Sequence, residues 1–298
     1  PEQAVEPLIK WANYKKPLAV YVAPDAPEAL ILLQQNNIAC FRTPESCAES
    51  VKTFLNTKNP VKTKILKNDL SKISKKLKKN ISKNLSEEES LEIFKEIGIE
   101  IVNYKVSCNE KQAVEHSSQI GFPLVMKVLS NQILHKTETG GVELNIKNLE
   151  ELKISFEKLS DVFQKLKINS SDKKFLIQKM ETGIAEIILG YRVDELVGPI
   201  VVIGSGGVLS EIYNDKSIRM APVDITEANK MIREVKSLVT ITGYRGLPEA
   251  DINIVATAIV NMSKFAFVKE IKEAEINPII VKKENEGIVA VDGLITLY

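Results

Sequence analysis

The chain has 298 residues, 44% hydrophobic and 27% charged, the composition of a folded globular protein with one large domain or two smaller ones. No apolar run reaches the roughly 18–20 residues of a membrane span, and no charged-then-apolar leader opens the sequence, so a cytoplasmic protein without a membrane partner is expected. The net charge of +1 excludes a uniformly basic, nucleic-acid-coating surface, while Cys40, Cys47 and Cys108 show no metal spacing and read as reduced packing thiols. A first residue of Pro1, with no methionine, points to a processed product or to part of a longer polypeptide.

Residues 1–57 read as two strand–helix units. The run Pro17 to Val22 predicts a strand, followed by a helix over Ala26 to Asn36 with Asp25 as N-cap and Pro27 just inside it. Ile38 to Arg42 predicts a second strand. A second helix starts near Pro44 and sets Cys47, Val51, Phe54 and Leu55 on one face. Consecutive βα units imply a parallel sheet, and two strands cannot complete one. This segment is therefore expected to be the tail of a doubly wound domain whose other strands come from upstream chain or from a partner.

Residues 58–84 read as a connector. Between Lys52 and Lys83 eleven lysines face the single Asp69, so this stretch carries +10 and the rest of the chain −9. Interleaved aromatics, arginines and reader motifs are missing, which argues against nucleic-acid binding and for a solvated connector, with Ile65, Leu70, Ile73 and Leu77 on one weakly amphipathic helix.

From residue 85 the pattern changes to α+β. Ser86-Glu87-Glu88-Glu89 is a capping box opening a helix with Leu91, Phe94 and Ile97 inward and Gly98 at its exit. A strand over 99–106, a helix from Asn109 to Ile120 and a strand over 123–129 follow. Val142 to Ile146 predicts a strand, 148–167 a helix and Phe175 to Met180 a strand. Further strands are predicted near 185–193, 199–203, 208–213 and 218–223, then helices near 225–237 and 249–268. Strands near 274–282 and 287–292 close the chain.

Chemistry concentrates between these elements. His135-Lys136-Thr137-Glu138-Thr139-Gly140-Gly141-Val142 places an imidazole, a cation and a flexible glycine pair in one loop after Lys127, which ends an otherwise apolar strand. Glycines let backbone approach phosphate, lysines neutralise it, and a neutral imidazole can attack it, so the segment suits phosphoryl transfer. A lysine closing an apolar strand is costly without an anionic partner. Gly204-Ser205-Gly206-Gly207, after the run 199–203, is a loop whose N–H groups could receive an anion.

Taken in order, six islands resemble one family. They are Gly121 to Lys127, Leu134-His135-Lys136 leading to Gly140-Gly141-Val142, Glu186 within Ala185 to Gly190, Gly198-Pro199 leading to the glycine-rich loop, Arg219-Met220-Ala221-Pro222, and Glu275-Ile276-Asn277-Pro278 with Val291-Asp292-Gly293. Residues 85–298 thus resemble the ATP-grasp domain of the nucleoside-diphosphate-forming acyl-CoA synthetases, relatives of succinyl-CoA ligase and ATP-citrate lyase. Residues 1–57 are similar to the last part of that family's flavodoxin-type succinyl-CoA-ligase-like domain. The implied fold is α/β and α+β, the C-terminal part of a flavodoxin-like ligase domain followed by an ATP-grasp domain.

The resemblance implies roles. ATP or ADP with Mg²⁺ would be bound, Lys127 and Lys136 reaching phosphate, Gln178, Lys179 and Met180 forming the hinge against adenine, Glu186 finishing the pocket, and Gly204, Gly206 and Gly207 the anion loop. Asn277 and Asp292 would carry the metal, with Glu275 as a further ligand on the same strand face. Mg²⁺ wants hard oxygens and keeps several waters, and a turn around Asn285-Glu286-Gly287 would pair the two terminal strands so that Asn277 and Asp292 share one cleft. Arg219, beside Glu211, would meet the charge of a transferring phosphoryl group. His135 would carry that group as a phosphohistidine, whereas His116 reads as a surface residue of its helix. The activity implied is acid + CoA + ATP ⇌ acyl-CoA + ADP + phosphate, with CoA-binding and CoA-ligase domains upstream or on another subunit. Two other readings are a regulatory synthetase-like region of a protein lysine acetyltransferase and a non-catalytic nucleotide-sensing module; His135, Asn277 and Asp292 together favour the enzyme.

Overall fold

A computed structural model of the chain describes residues 2–12, 17–57, 70–80, 82–130, 139–165, 173–207 and 215–298. It divides into two compact units, Pro1–Lys62 and Thr63–Tyr298.

In the smaller unit, helix α1 (Glu2–Trp11), strand β1 (Ala19–Tyr21), helix α2 (Pro27–Gln35), strand β2 (Ala39–Phe41) and helix α3 (Pro44–Asn56) follow in order. The strands are parallel, Ala19 opposite Ala39, as the βα pattern requires. Val5, Ala29, Leu33 and Ile38 form the core. Helix α2 starts one residue later than expected: Pro27 occupies its first turn and Ala26 the cap position, without a side-chain hydrogen bond, so Asp25 is not the cap. On α3 only Cys47 is buried; Val51, Phe54 and Leu55 are exposed.

In the larger unit, helix α4 (Ser71–Leu77) shows that the second half of the lysine-rich stretch is packed. Ile73 and Leu77 enter the main core, and Lys76 pairs with Glu96 at 2.9 Å. Ile65 lies outside the described residues. Helix α5 (Glu87–Glu96) is opened by the predicted capping box: the Ser86 hydroxyl accepts from the Glu89 N–H at 3.2 Å, and the Glu89 carboxylate accepts from the Ser86 N–H at 2.8 Å. Gly98 then ends the turn at φ +85°.

Strand β3 (Tyr104–Ser107), helix α6 (Glu110–Ile120), strands β4 (Leu124–Leu129) and β5 (Val142–Ile146), helix α7 (Leu149–Lys165) and strand β6 (Lys174–Lys179) build a four-stranded antiparallel sheet of order β3-β6-β4-β5. On β4, Leu124, Met126 and Val128 pack with Phe163 and Phe175 in the core of this sheet, while Val125 and Lys127 face the other way into a cleft. That alternation is the period of two of a strand whose faces are both covered.

Strands β7 (Ala185–Asp194), β8 (Gly198–Ser205) and β9 (Lys216–Met220), helices α8 (Ile225–Glu234) and α9 (Ile252–Ser263), and strands β10 (Ile271–Val281), β11 (Ile288–Ala290) and β12 (Gly293–Leu297) complete the unit. The sheet runs β11-β10-β7-β8-β9, with β12 also on β10, all antiparallel. Its core takes Ile187, Leu189 and Tyr191 from β7 against Phe94, Phe265, Met231 and Ile259 from the helices. The strand expected over 287–292 is two short strands interrupted at 291–292. The strand expected over 208–213 lies outside the described residues. Among the described residues no helix is long and apolar enough to cross a membrane.

Candidate nucleotide and metal site

The site forms where the ladder of β10 breaks. The pairing of β10 with β7 shifts between Ile276 and Ile279, because Pro278 has no N–H to donate to it. Opposite, β11 ends at Ala290 and β12 starts at Gly293, with the Asn277 N–H donating to the Asp292 carbonyl at 3.3 Å. Asn277 and Asp292 therefore sit side by side across the hairpin, both lining a cleft of about 340 Å³.

One wall of that cleft comes from the four-stranded sheet: Val125 and Lys127 of β4, Val142 and Leu144 of β5, and Gln178 and Lys179 of β6, continuing to Met180 and Glu181. The other comes from Glu186 of β7 and Asn277, Pro278 and Ile280 of β10, with Val291 and Asp292. Register fixes the neighbours: Val125 is opposite Gln178, and Ile280 is opposite Glu186. An apolar slot with few convergent polar groups is the usual form of a small-molecule site. A larger surface hollow, about 540 Å³ and lined by Glu88, Glu92 and Glu100, holds none of the expected residues.

Lys127 is the electrostatic centre. Its Nζ donates to Glu87 Oε1 at 2.7 Å, to the Val291 carbonyl at 2.9 Å and to Asp292 Oδ2 at 3.0 Å. Burial pulls its pKa down, but Glu87 and Asp292 outweigh that and hold the ammonium above its ordinary value. Gln178 Nε2 donates to the same Val291 carbonyl at 3.1 Å. Gln178 Oε1 is buried without a partner among the described residues, so an acceptor is left for a donor on a ligand. Lys179 Nζ donates to the carbonyls of Phe122 at 2.9 Å and Gly121 at 3.2 Å, and the Met180 N–H donates to the Pro123 carbonyl at 3.0 Å. These bonds tie the hinge segment to the turn before β4.

Seven sequence-derived residues converge here: Lys127, Gln178, Lys179, Met180, Glu186, Asn277 and Asp292. Glu275 lies beside the cleft wall rather than in it, accepting from Asn277 Nδ2 at 3.2 Å. The glycine-rich turn is not an open anion nest at Ser205 and Gly206, whose N–H groups donate to the Asp215 carbonyl at 3.3 Å and the Glu186 carbonyl at 2.7 Å. A Cβ on Gly206 would stand 2.8 Å from Glu186 backbone, so this glycine is there for close packing against β7. Gly204 is paired within the sheet, opposite Ile188 and Lys216, and Gly207 follows at φ +82°.

Arg219 is not brought to the cleft. Its guanidinium bonds Glu227 at 2.7 Å and also Glu234, both on α8, and these bonds hold the two carboxyls below the usual carboxylate range. His116, expected at the surface, is half-buried, with Nδ1 2.8 Å from the Ser107 hydroxyl. His135, Lys136 and Glu211 lie outside the described residues. Sequence reading missed Glu87, which meets Lys127 from the first turn of α5, and the apolar lining Val125, Val142, Leu144 and Ile280.

The donor set fits a hard divalent cation. Asp292 offers carboxylate oxygens, and Asn277, with its nitrogen turned to Glu275, offers Oδ1. Among the described residues no trio of His, Cys, Asp or Glu could hold a metal alone. A cation at Asn277 and Asp292 would thus take its remaining ligands from phosphate and water, the habit of Mg²⁺ at nucleotide sites.

Comparison with known proteins bears on the family of the chain. Residues 75–297 match the family model of an ATP-grasp domain. The chain is 38% identical over 210 residues to the beta subunit of acetate–CoA ligase (ADP-forming) I of Pyrococcus furiosus, covering 70% of this chain and 90% of that one. It is 35% identical over 202 residues to acetate–CoA ligase (ADP-forming) I of Archaeoglobus fulgidus, covering 67% of this chain but 29% of that longer protein. A solved structure of dinucleotide-forming acetyl-coenzyme A synthetase 1 from Ca. Korarchaeum cryptofilum superposes with a TM-score of 0.63 at 32% identity, covering 75% of this chain and 97% of that one. It holds coenzyme A and Mg-AMPPCP, with its phosphohistidine segment pointing towards the nucleotide binding site.

Proposed function

The chain belongs to the ATP-grasp family, and we propose that it is the nucleotide-binding and phosphotransfer part of an acid–CoA ligase (ADP-forming), acting with ATP or ADP and Mg²⁺. The observation that supports this best is the convergence, in one cleft between two sheets, of a buried lysine, a carboxylate–carboxamide pair and an apolar slot with an unpartnered acceptor. Val125, Leu144, Met180 and Ile280 suit a purine ring, and Gln178 Oε1 suits an N–H on it such as the exocyclic amine of adenine. In this reading Lys127 supplies a charge-assisted contact to phosphate oxygens. Asn277 and Asp292 would hold the cation, which when bound neutralises charge on the phosphates.

In this reading His135 accepts the γ-phosphoryl group of ATP on an imidazole nitrogen, the bond to the β-phosphate oxygen breaking as ADP leaves. The segment then delivers the group to a CoA-ligase part upstream or on another subunit. There a first histidine of that part takes the phosphoryl group and passes it to a carboxylic acid, and CoA displaces phosphate from the acyl phosphate. That part and the choice of acid belong to the assembled ligase. Titration calorimetry of the chain with Mg·ATP and Mg·ADP tests the nucleotide reading: binding at millimolar concentration or below is expected, and a weaker affinity when EDTA removes the metal. No magnesium-dependent binding of either nucleotide would overturn the reading.

A further inference from the structure

Glu87 belongs to none of the motifs that identify the family, yet it makes the shortest of the three contacts to Lys127. An ammonium has three N–H groups, and here three acceptors take them: Glu87, the Val291 carbonyl and Asp292. A phosphate can reach Lys127 only when one of them gives way. Glu87 is the least able to do so. Its side chain is 1% exposed, against 35% for Asp292, and it stands in the first turn of α5, where the helix N-terminus favours a carboxylate. Asp292 can instead turn to water or to a cation.

The charges sharpen the point. Lys127, Glu87 and Asp292 together carry −1, so once Lys127 is balanced by Glu87, the charge of Asp292 remains for a cation. Without the charge of Glu87, Lys127 would neutralise Asp292 and hold it back from metal. We propose that Glu87 is a positioning residue of the nucleotide site: a fixed buried counter-ion that tethers Lys127 while its contact passes from Asp292 to phosphate, freeing Asp292 for the divalent cation. This rests on the nucleotide reading above and adds a residue that acts only through Lys127.

The test is calorimetric titration of the full chain with ADP at a series of Mg²⁺ concentrations, for wild type, Glu87→Gln and Glu87→Asp, alongside ADP with EDTA. Glu87→Gln should raise the Mg²⁺ concentration at half-effect about tenfold and leave metal-free ADP binding equal or tighter, because Lys127 is then less neutralised. Glu87→Asp keeps the charge but draws it back by one methylene, and an intermediate shift is expected. An unmoved Mg²⁺ midpoint in Glu87→Gln overturns the proposal. So does a parallel loss of metal-free ADP affinity, which marks a merely structural residue. If Glu87→Gln does not fold, Glu87→Asp decides alone, an unmoved midpoint there being the negative result. Wild type that binds no nucleotide would instead fault the underlying functional reading.

Discussion

Replacing Lys127 by methionine tests the electrostatic centre through stability alone. The substitution keeps length and removes charge, so its cost is set by what the three acceptors do next. The Val291 carbonyl retains the Gln178 Nε2 donor at 3.1 Å, and Asp292, with its side chain 35% exposed, can be hydrated. Glu87, with its side chain 1% exposed, cannot be hydrated in the same way and loses the ammonium that stands 2.7 Å from it. Breaking a buried pair from one side costs about 3–5 kcal/mol, and since the Val291 carbonyl and Asp292 can be satisfied otherwise, the lower end, about 3 kcal/mol, is expected. For a body of this size that lowers the unfolding temperature by roughly 6–12 °C. The double variant Lys127→Met/Glu87→Gln removes both charges and should recover most of the loss. Differential scanning calorimetry of wild type, single and double variants reads this directly. A fall of less than about 2 °C in the single variant, or a double variant no more stable than the single, would refute the buried-pair reasoning.

Three further outcomes follow from the same geometry. Asp292→Asn should weaken the magnesium-dependent part of ADP binding by about 1–3 kcal/mol, seen as a Kd difference with and without EDTA that shrinks relative to wild type. Arg219 holds the Glu227 and Glu234 carboxyls below their unfolded values, so its contribution is present above the ordinary carboxylate range and is lost as pH falls through the depressed folded values. Because Glu227 and Glu234 are 28% and 49% exposed, Arg219→Gln should cost only about 0.5–1 kcal/mol near neutrality; urea unfolding should show that gap closing as pH falls below the ordinary carboxylate range, and a gap independent of pH would contradict it. With a CoA-ligase part, acid, CoA and Mg·ATP supplied, His135→Ala should abolish acyl-CoA formation while leaving ATP affinity nearly intact, and retained turnover would remove the carrier role.

Much of the larger unit was legible because its signals are local. The capping box before α5, the Asn109 cap of α6, which accepts from the Gln112 N–H at 3.0 Å, and the apolar runs of β4 and β6 each specify an element within a few residues. The same holds for the convergence of Lys127, Gln178, Asn277 and Asp292, since ordered motifs mark strand ends. What was not legible depended on contacts distant in sequence. Arg219 stands in the expected motif, but whether a guanidinium faces a cleft or a helix is settled by α8, and Glu227 and Glu234 claim it. The glycine-rich turn suggested open N–H groups, yet the Ser205 N–H is spent on the Asp215 carbonyl beside β9 and that of Gly206 on the Glu186 carbonyl of β7. Ile73 and Leu77 stand on the expected amphipathic helix, but the connector is not merely solvated there, since both side chains enter the main core.

Glu87 is the most instructive omission, because a signal for it was present. Residues 87, 91 and 94 share one helix face by the 3.6-residue period, and Leu91 and Phe94 were read as inward on that ground. The same rotation carries Glu87 inward. The capping box masked this, since acidic residues in a first turn are ordinarily explained by the helix dipole and by exposure to water. A carboxylate on the apolar face of its helix requires a buried cation, just as Lys127 at the end of an apolar strand requires an anion. Each residue poses the question that the other answers, and pairing unsatisfied buried charges across a chain before assigning either to a ligand would have joined them 40 positions apart.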